Sequence, residues 1–275
     1  MTGRAAGGGA RTVALVVLVI AGACHTGINY ADPVAPRFSG PLQGPSPEAM
    51  WRDTLLVVSF NVENSRQVDN ALVVLTTEPE LQDADIVLLQ EVDENAARRM
   101  ATALTLGFVY YPAILRKATG RNFGNAVLSR WPLKDDEKLV LPHRAIFGRT
   151  QRIATSVTVQ VGSTPIRVYS VHLATPVNLA LRDRQDQLRT VLRDAARYPH
   201  VIIGGDLNSG SLGSLAEERG FAWPTREGPR TVRFGRWDHI FFKGLLPPDP
   251  GGSGTVLDNR GASDHLPVWA RGVVY

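Results

Sequence analysis

Residues 201–209 read VIIGGDLNS. The apolar, β-rich run Val201–Ile203 reads as a short strand, and it continues through Gly204 and Gly205 into Asp206 and Asn208. The same arrangement recurs along the chain. Leu55–Phe60 (LLVVSF) runs into Asn61, Ile86–Gln90 into Glu91, and Ile166–Val171 into His172. Near the far end, Trp237-Asp238-His239-Ile240 and Ser263-Asp264-His265-Leu266-Pro267 set two Asp-His pairs beside strands. A lone acid after a strand is usually a turn or helix-cap residue. Six strand ends that all finish in a group able to bind a hard cation or move a proton require another explanation. Strand ends of a layered α/β core converge, so these positions are expected to line one cleft.

Outward from these ends, Ala126–Leu128, Ile153–Val161, His239–Phe242 and Leu266–Ala270 also read as strands. In Ile153–Val161 (IATSVTVQV) apolar residues alternate with smaller or polar ones, as expected for a strand with one face solvated or lightly covered. Glu94–Leu106 and Asn178–Arg197 read as amphipathic helices; in the second, Leu181, Leu188, Val191, Leu192 and Ala195 recur at helical spacing among Arg and Asp. The expectation is a strand-rich core with covering helices. No internal repeat, P-loop, G-x-G-x-x-G after a strand or G-x-S-x-G elbow occurs. Carboxylate, amide and imidazole donors without a thiolate suit Mg²⁺, Mn²⁺ or Ca²⁺, with waters and a substrate phosphate completing the shell. Metal polarisation of a phosphoryl oxygen together with an activated water is the chemistry this inventory fits.

The rest of the composition sets limits. The 275 residues are 44% hydrophobic and 7% aromatic, which excludes a disordered, collagen-like or multi-span membrane chain. The single cysteine, Cys24, excludes a disulfide framework and Cys-ligated zinc. Residues 1–11 carry Arg4 and Arg11 and no acid, and Thr12–Ala23 is an apolar run too short to span a bilayer, so 1–23 reads as an export signal. Ala21-Gly22-Ala23-Cys24 resembles a lipobox, which would make Cys24 a lipid anchor to a membrane after cleavage and the protein an exported one. Residues 24–50, with five prolines and no apolar periodicity, read as a tether, and 51–275 as the folded domain, expected to be monomeric. The formal charge of +4, from 30 basic and 26 acidic residues, falls to +2 on that cleavage because two arginines are lost, so charge says little about partners.

Seven segments carry a family resemblance: SFNVEN (59–64), LLQEVD (88–93), GNAVLSRWPL (124–133), YSVHL (169–173), GGDLNS (204–209), WDHIF (237–241) and SDHLPV (263–268). In this order the chain resembles the endonuclease/exonuclease/phosphatase superfamily, metal-dependent hydrolases that include deoxyribonucleases, neutral sphingomyelinases, inositol polyphosphate 5-phosphatases and abasic-site endonucleases. The resemblance implies an α/β fold, a four-layer α/β/β/α sandwich of two packed mixed sheets flanked by helices. It implies that Glu91 is the principal metal ligand with Asn61 in the same shell, that Asp206 and Asn208 orient water and phosphate, and that Asp238 orients His265. His265 would activate water or stabilise the charged transition state, Asp264 would lie near the metal, and His172 would meet a phosphate oxygen or the leaving alkoxide. Asn125 is a candidate phosphate contact or a structural amide; Arg116, Lys117 and Arg121 are candidate phosphate contacts or a solvated loop. Abasic-site endonucleases usually carry Tyr at the position of His172 and Thr at that of Val92, so the chain falls on the side of the other three groups. The expected substrate is a phosphate ester, nucleic acid ahead of phospholipid or phosphomonoester; a domain that kept the fold and lost the chemistry is the alternative of another class.

Overall fold

The computed structural model describes residues 26–40, 52–248 and 251–274. The export signal and Cys24 lie outside these residues. In chain order the first half holds β1 (Gly27–Asn29), β2 (Phe38–Gly40), β3 (Thr54–Asn61), α1 (Val68–Thr77), β4 (Ile86–Val92), α2 (Glu94–Ala103), β5 (Gly107–Arg116) and β6 (Asn122–Ser129). The second half holds β7 (Leu133–Val140), β8 (Ile153–Val161), β9 (Thr164–His172), α3 (Leu181–Ala195), β10 (Val201–Asp206), α4 (Ser214–Glu217), β11 (Asp238–Lys243), β12 (Leu245–Leu246), β13 (Ser253–Thr255) and β14 (Val268–Val274).

The strands form two sheets. One runs β1-β5-β6-β4-β3-β14-β12, with β2 also on β5 and β13 also on β14; the other runs β11-β10-β9-β8-β7. Alternation along each strand decides what packs where. Leu55, Val57, Ile86 and Leu88 of the first sheet meet Ile166, Val168, Ile202, Ile240 and Phe242 of the second in a core between the sheets. The opposite residues Val58, Phe60, Val87 and Leu89 lie under α1 and α2, against Val74, Leu75 and Met100. On the far side Tyr169, Val171, Ile203 and Phe241 lie under α3, against Leu188, Val191 and Leu192. This is the four-layer α/β/β/α sandwich expected from the sequence. Among the described residues no helix is long and apolar enough to cross a membrane.

The tether expectation needs correction over residues 26–40. β1 pairs with the end of β5 (Gly27↔Arg116) and β2 with its start (Phe38↔Tyr110), and the Phe38 and Tyr110 rings lie 5.8 Å apart. β5 would otherwise present an open, largely apolar strand edge, and the two short strands close it. Proline and glycine here shape a wrap against the sheet.

Two parallel pairs place the polar strand ends. β3 is parallel to β4 and β9 is parallel to β10, so Asn61, Glu91, His172 and Asp206 all emerge at one edge of the sandwich. β11 runs antiparallel to β10, so its first residue, Asp238, emerges at the same edge.

Candidate active site

The register of the second sheet sets His172 directly beside Asp206 and Asp206 directly beside Asp238, a row across three neighbouring strands. The facing row on the first sheet is Asn61, Gln90 and Asn125. Glu91 joins it through a bulge. The β4–β6 pairing skips from Gln90↔Asn125 to Val92↔Gly124, and Glu91 is left unpaired in a left-handed conformation, φ 56°. Bulges re-aim a side chain at the rim of a sheet. Here the bulge turns the Glu91 carboxylate across the cleft, where its Oε1 stands 3.8 Å from His172 Nε2.

Asn61 ties the two rows together. Its Nδ2 lies 3.4 Å from Glu91 Oε1, 3.2 Å from Asp206 Oδ2 and 3.5 Å from His265 Nε2, while its Oδ1 accepts the backbone N–H of Glu63 at 3.1 Å. In this conformation Asn61 presents donors to the carboxylates. Asn208, also left-handed at φ 50°, donates its Nδ2 to Leu173 O and Asp206 Oδ2, and its backbone N–H reaches Asp206 Oδ1 at 2.7 Å. Asp206 is thus held by three donors and is almost fully buried.

His265 comes from the loop before β14. Its Nδ1 lies 2.8 Å from Asp238 Oδ2, so Nδ1–H donates to the carboxylate and Nε2 faces Asp206 Oδ2 at 3.7 Å. Burial alone would lower this imidazole, but the charge and hydrogen bond of Asp238, with Asp206 and Asp264, raise it to about 10. Burial is also the largest influence on Asp206. Asp238 and Glu91 add to it, His265 and the Asn208 N–H oppose it, and the carboxyl is raised to about 7. A buried carboxyl whose proton affinity is raised by neighbouring carboxylates marks a place suited to receive a cation. Asp206, Asp238 and His265 bring ligand atoms within 4.8 Å of one another. With His265 protonated and clamped to Asp238, the oxygens of Glu91 and Asp206, and that of Asn61 once its amide turns from the Glu63 N–H, form the donor set, which fits a hard divalent ion.

His172 has an arginine behind it. Arg152 Nη1 lies 3.2 Å from His172 Nδ1, so Nδ1 accepts and the proton of the neutral ring resides on Nε2, which faces Asp206 Oδ2 at 3.4 Å. Burial, then the charges of Arg152, His265 and Arg116, hold the imidazole well below its ordinary value. Phe123 packs against both sides of this arrangement: its ring lies 5.7 Å from that of His172, with Arg116 4.2 Å and Arg152 5.3 Å from its centroid. Sequence reading passes over Arg152, because an arginine just before a strand has the look of a solvated loop charge.

A second group, of which sequence reading names only Asn125, lies beneath the site. Gln90 Nε2 crosses from the first sheet to Ser170 Oγ of the second at 3.0 Å, and Ser170 Oγ returns a bond to Leu89 O at 2.9 Å. Asn125 spends both amide hydrogens on Ile153 O (2.9 Å) and Ser170 O (3.2 Å). Asn125 therefore fastens one sheet to the other. The available signal is that Ser59, Gln90, Asn125 and Ser170 are polar residues inside otherwise apolar strands.

The remaining candidates separate. Asp264 is exposed, and its charge acts on its neighbour His265, but no hydrogen bond or ion pair joins it to the cluster. Glu63 pairs with Arg66. His239 is buried, with Nδ1 accepting from Trp223 Nε1 and Nε2 directed at the carbonyls of Ser209 and Arg236, a support for the loop after Asp206. Arg121 pairs with Asp93, the N-cap of α2, and Lys117 is exposed. Arg116 borders two cavities. One of about 390 Å³ includes Phe123, Phe147, Arg152 and Asn178; the other, about 380 Å³, includes Arg66, Arg121 and Asn122.

A model described as the Endonuclease/Exonuclease/phosphatase family matches residues 58–265. Among curated proteins none matches the chain significantly. Solved structures do. An endonuclease/exonuclease/phosphatase from Beutenbergia cavernae is 22% identical, with 81% of this chain and 72% of that one covered, at a TM-score of 0.66. D. rerio TDP2 complexed with single strand DNA product is 18% identical, with 80% and 99% covered, at 0.63. Sphingomyelinase C from Streptomyces griseocarneus is 18% identical, with 80% and 99% covered, at 0.59. At these identities the likeness is one of fold.

Proposed function

Because the chain belongs to the Endonuclease/Exonuclease/phosphatase family, we propose that it is an exported, divalent-metal-dependent hydrolase of phosphodiester bonds. The observation that carries this reading is the meeting of the two rows: Glu91, Asn61, Asp206, Asp238, His265 and His172 converge at one sheet edge, with His265 clamped to Asp238 at 2.8 Å. Glu91 would hold the ion, with Asp206 beside it and Asn61 joining through Oδ1 once its amide turns towards the cleft, and Mg²⁺ is the ion proposed. When bound, it supplies Lewis-acid polarisation of a phosphoryl oxygen and charge neutralisation.

The chain's own residues account for the rest. Asp206, raised towards neutral pH, is suited to take a proton from an attacking water. His265, held as an imidazolium by Asp238, places positive charge where the phosphorane-like transition state gathers negative charge. His172 presents Nε2–H as a neutral donor to a phosphate oxygen or the leaving alkoxide, with Arg152 fixing its tautomer. Asn208 orients Asp206. None of the seven residues Glu91, His172, Asp206, Asn208, Asp238, Asp264 and His265 is missing, which weighs against a domain that lost the chemistry.

Nucleic acid, the substrate the sequence favours, and phospholipid present the same scissile group, so the catalytic residues do not separate them; the loops around the cleft do. The test of the common chemistry is turnover of bis-p-nitrophenyl phosphate by the purified chain with Mg²⁺ or Mn²⁺. Steady metal-dependent release of nitrophenol is expected. No release from this reporter, together with intact plasmid DNA and intact phospholipid, overturns the reading.

A further inference from the structure

Two loops at the mouth of the cleft expose apolar tips. Ile146 and Phe147, on the loop between β7 and β8, are 63% and 70% exposed, and Val177, on the loop between β9 and α3, is 74% exposed. The backbone N–H of Ile146 donates to Asn178 O at 3.0 Å, which holds the two tips side by side. Phe147 and Asn178 line the same cavity as Arg152, the residue bonded to His172, so the tips stand at the entrance to the catalytic centre. Apolar groups gathered at one exposed place mark a surface that something covers.

The charges around the tips narrow what that is. Residues 141–152 carry Arg144, Arg149 and Arg152 and no acid, with His143 meeting Asp183 and Asp186 of α3; residues 113–121 carry Arg116, Lys117 and Arg121, the last paired with Asp93; residues 173–181 carry no charge. Apolar tips flanked by cations such as Arg144, Arg149 and Lys117 are the pattern of a surface that enters the head-group region of an anionic bilayer. Single-stranded nucleic acid would want flat rings to stack on, and two of the three tips, Ile146 and Val177, are aliphatic.

The path of the chain agrees. Thr26 O accepts the N–H of Lys117 at 3.1 Å, and a Cβ placed on Gly148 would come within 2.3 Å of Thr26 Oγ1, so the first described residue packs directly beside Phe147. Asn29 fastens this segment to the same loop through Arg149 O and the Gln151 N–H. The apolar run Thr12–Ala23 ends three residues before Thr26, a reach of at most ~11 Å. Any membrane that holds that run, or a lipid on Cys24, lies at the rim of the cleft.

We propose that Ile146, Phe147 and Val177 insert into the surface of a bilayer containing anionic lipid, with Arg144, Arg149 and Lys117 at head-group depth. The cleft then opens towards the membrane and takes the phosphodiester of a phospholipid head group. The substrate half of this inference rests on the phosphodiester-hydrolase reading; the docking half does not. The test uses the full chain with Cys24→Ser and one introduced cysteine carrying an environment-sensitive dye. Phe147→Cys reports the mouth, and Leu246→Cys, on β12 at the opposite end of β14, serves as reference. On vesicles of phosphatidylcholine and phosphatidylglycerol the label at 147 is expected to shift to the blue while the label at 246 stays in water. An unshifted label at 147, equal shifts at both positions, or a shift at 147 produced by single-stranded DNA and not by vesicles overturns the docking. In the second arm, Ile146→Ser with Val177→Ser is expected to lower hydrolysis of vesicle phospholipid about tenfold or more while turnover of bis-p-nitrophenyl phosphate is retained. Equal loss on both substrates, unchanged vesicle hydrolysis, or reporter turnover without vesicle hydrolysis by the wild-type chain overturns the membrane-facing substrate. Absence of reporter turnover by the wild-type chain, with plasmid DNA and phospholipid also left intact, sinks the hydrolase reading alone, because the dye result stands without it.

Discussion

Asp238→Asn keeps the volume beside His265 and removes the charge that keeps its ring protonated. The expected result is a fall in kcat of about 10²–10⁴ with little change in melting temperature; a fall smaller than tenfold in steady-state kinetics would refute the role given to the pair. Arg152→Met leaves the His172 ring free to take the other tautomer and removes a half-buried cation whose charge acts on Glu91 and Asp206. A loss of about tenfold or more is expected, with Arg152→Lys recovering only part, since a lysine lacks the planar fork that meets Nδ1 edge-on. Full activity in the methionine variant would show that Nδ1 needs no partner. The residues at the strand ends are legible in the sequence because six such endings together exceed what turns and helix caps call for. Gln90 and Ser170 are not, because their partners lie in the opposite sheet, and neither is Arg152, whose partner His172 ends the neighbouring strand; no local pattern names either.

Gly205 shows how tightly the elements must approach to make the row. It has φ 150°, and a Cβ there would lie 1.8 Å from the carbonyl oxygen of Val171 on β9. Gly205→Ala is therefore expected to destabilise the protein by about 2–4 kcal/mol and to displace Asp206, readable as a lower denaturation midpoint with lost turnover; a neutral change would mean the strands can part freely. Element boundaries follow the same physics. β5 (GFVYYPAILR) escapes the sequence reading because Pro112 interrupts it, and the structure absorbs that proline at an irregularity in the β5–β6 register. β7 (LKDDEKLV) escapes because it is a charged edge strand, and charge is what protects an edge. α1 (VDNALVVLTT) is poor in strong helix formers, and burial of Ala71, Val74 and Leu75 outweighs that. The expected helices are longer than the observed α2 and α3 by a few residues at their ends. A chain starting at residue 52 lacks β1 and β2. It is expected to aggregate more readily and to melt lower than one starting at residue 25, as light scattering and calorimetry would show; identical behaviour would mean the β5 edge needs no cover.

At the scale of the whole molecule, the cluster of buried carboxylates is a cost to the folded state that a cation relieves. Chelation is expected to abolish turnover and to lower the melting temperature, and Mg²⁺ to restore both; in Glu91→Ala the thermal gain on adding Mg²⁺ should shrink or vanish. A melting temperature indifferent to Mg²⁺ in the wild-type chain would place the ion elsewhere. The layering of the sandwich is legible in the sequence because alternation and helical spacing survive in the best-covered strands. The wrap of residues 26–40 around β5 is not, because short strands rich in proline and glycine carry no period.

β3 lies inside the larger sheet, with β4 on one side and β14 on the other. Its left-hand neighbour in that sheet is made soon after it, and its right-hand neighbour is the last strand described, Val268–Val274, joined through Val268↔Ser59 to Val273↔Thr54. A nascent chain therefore cannot complete this sheet until Val268–Val274 has left the ribosome, and His265 arrives only three residues before that closing strand. Such high contact order slows folding and makes it nearly all-or-none. Loss of Val268–Val274 would remove an interior strand of the larger sheet, so stability and the geometry of the site are expected to be lost together.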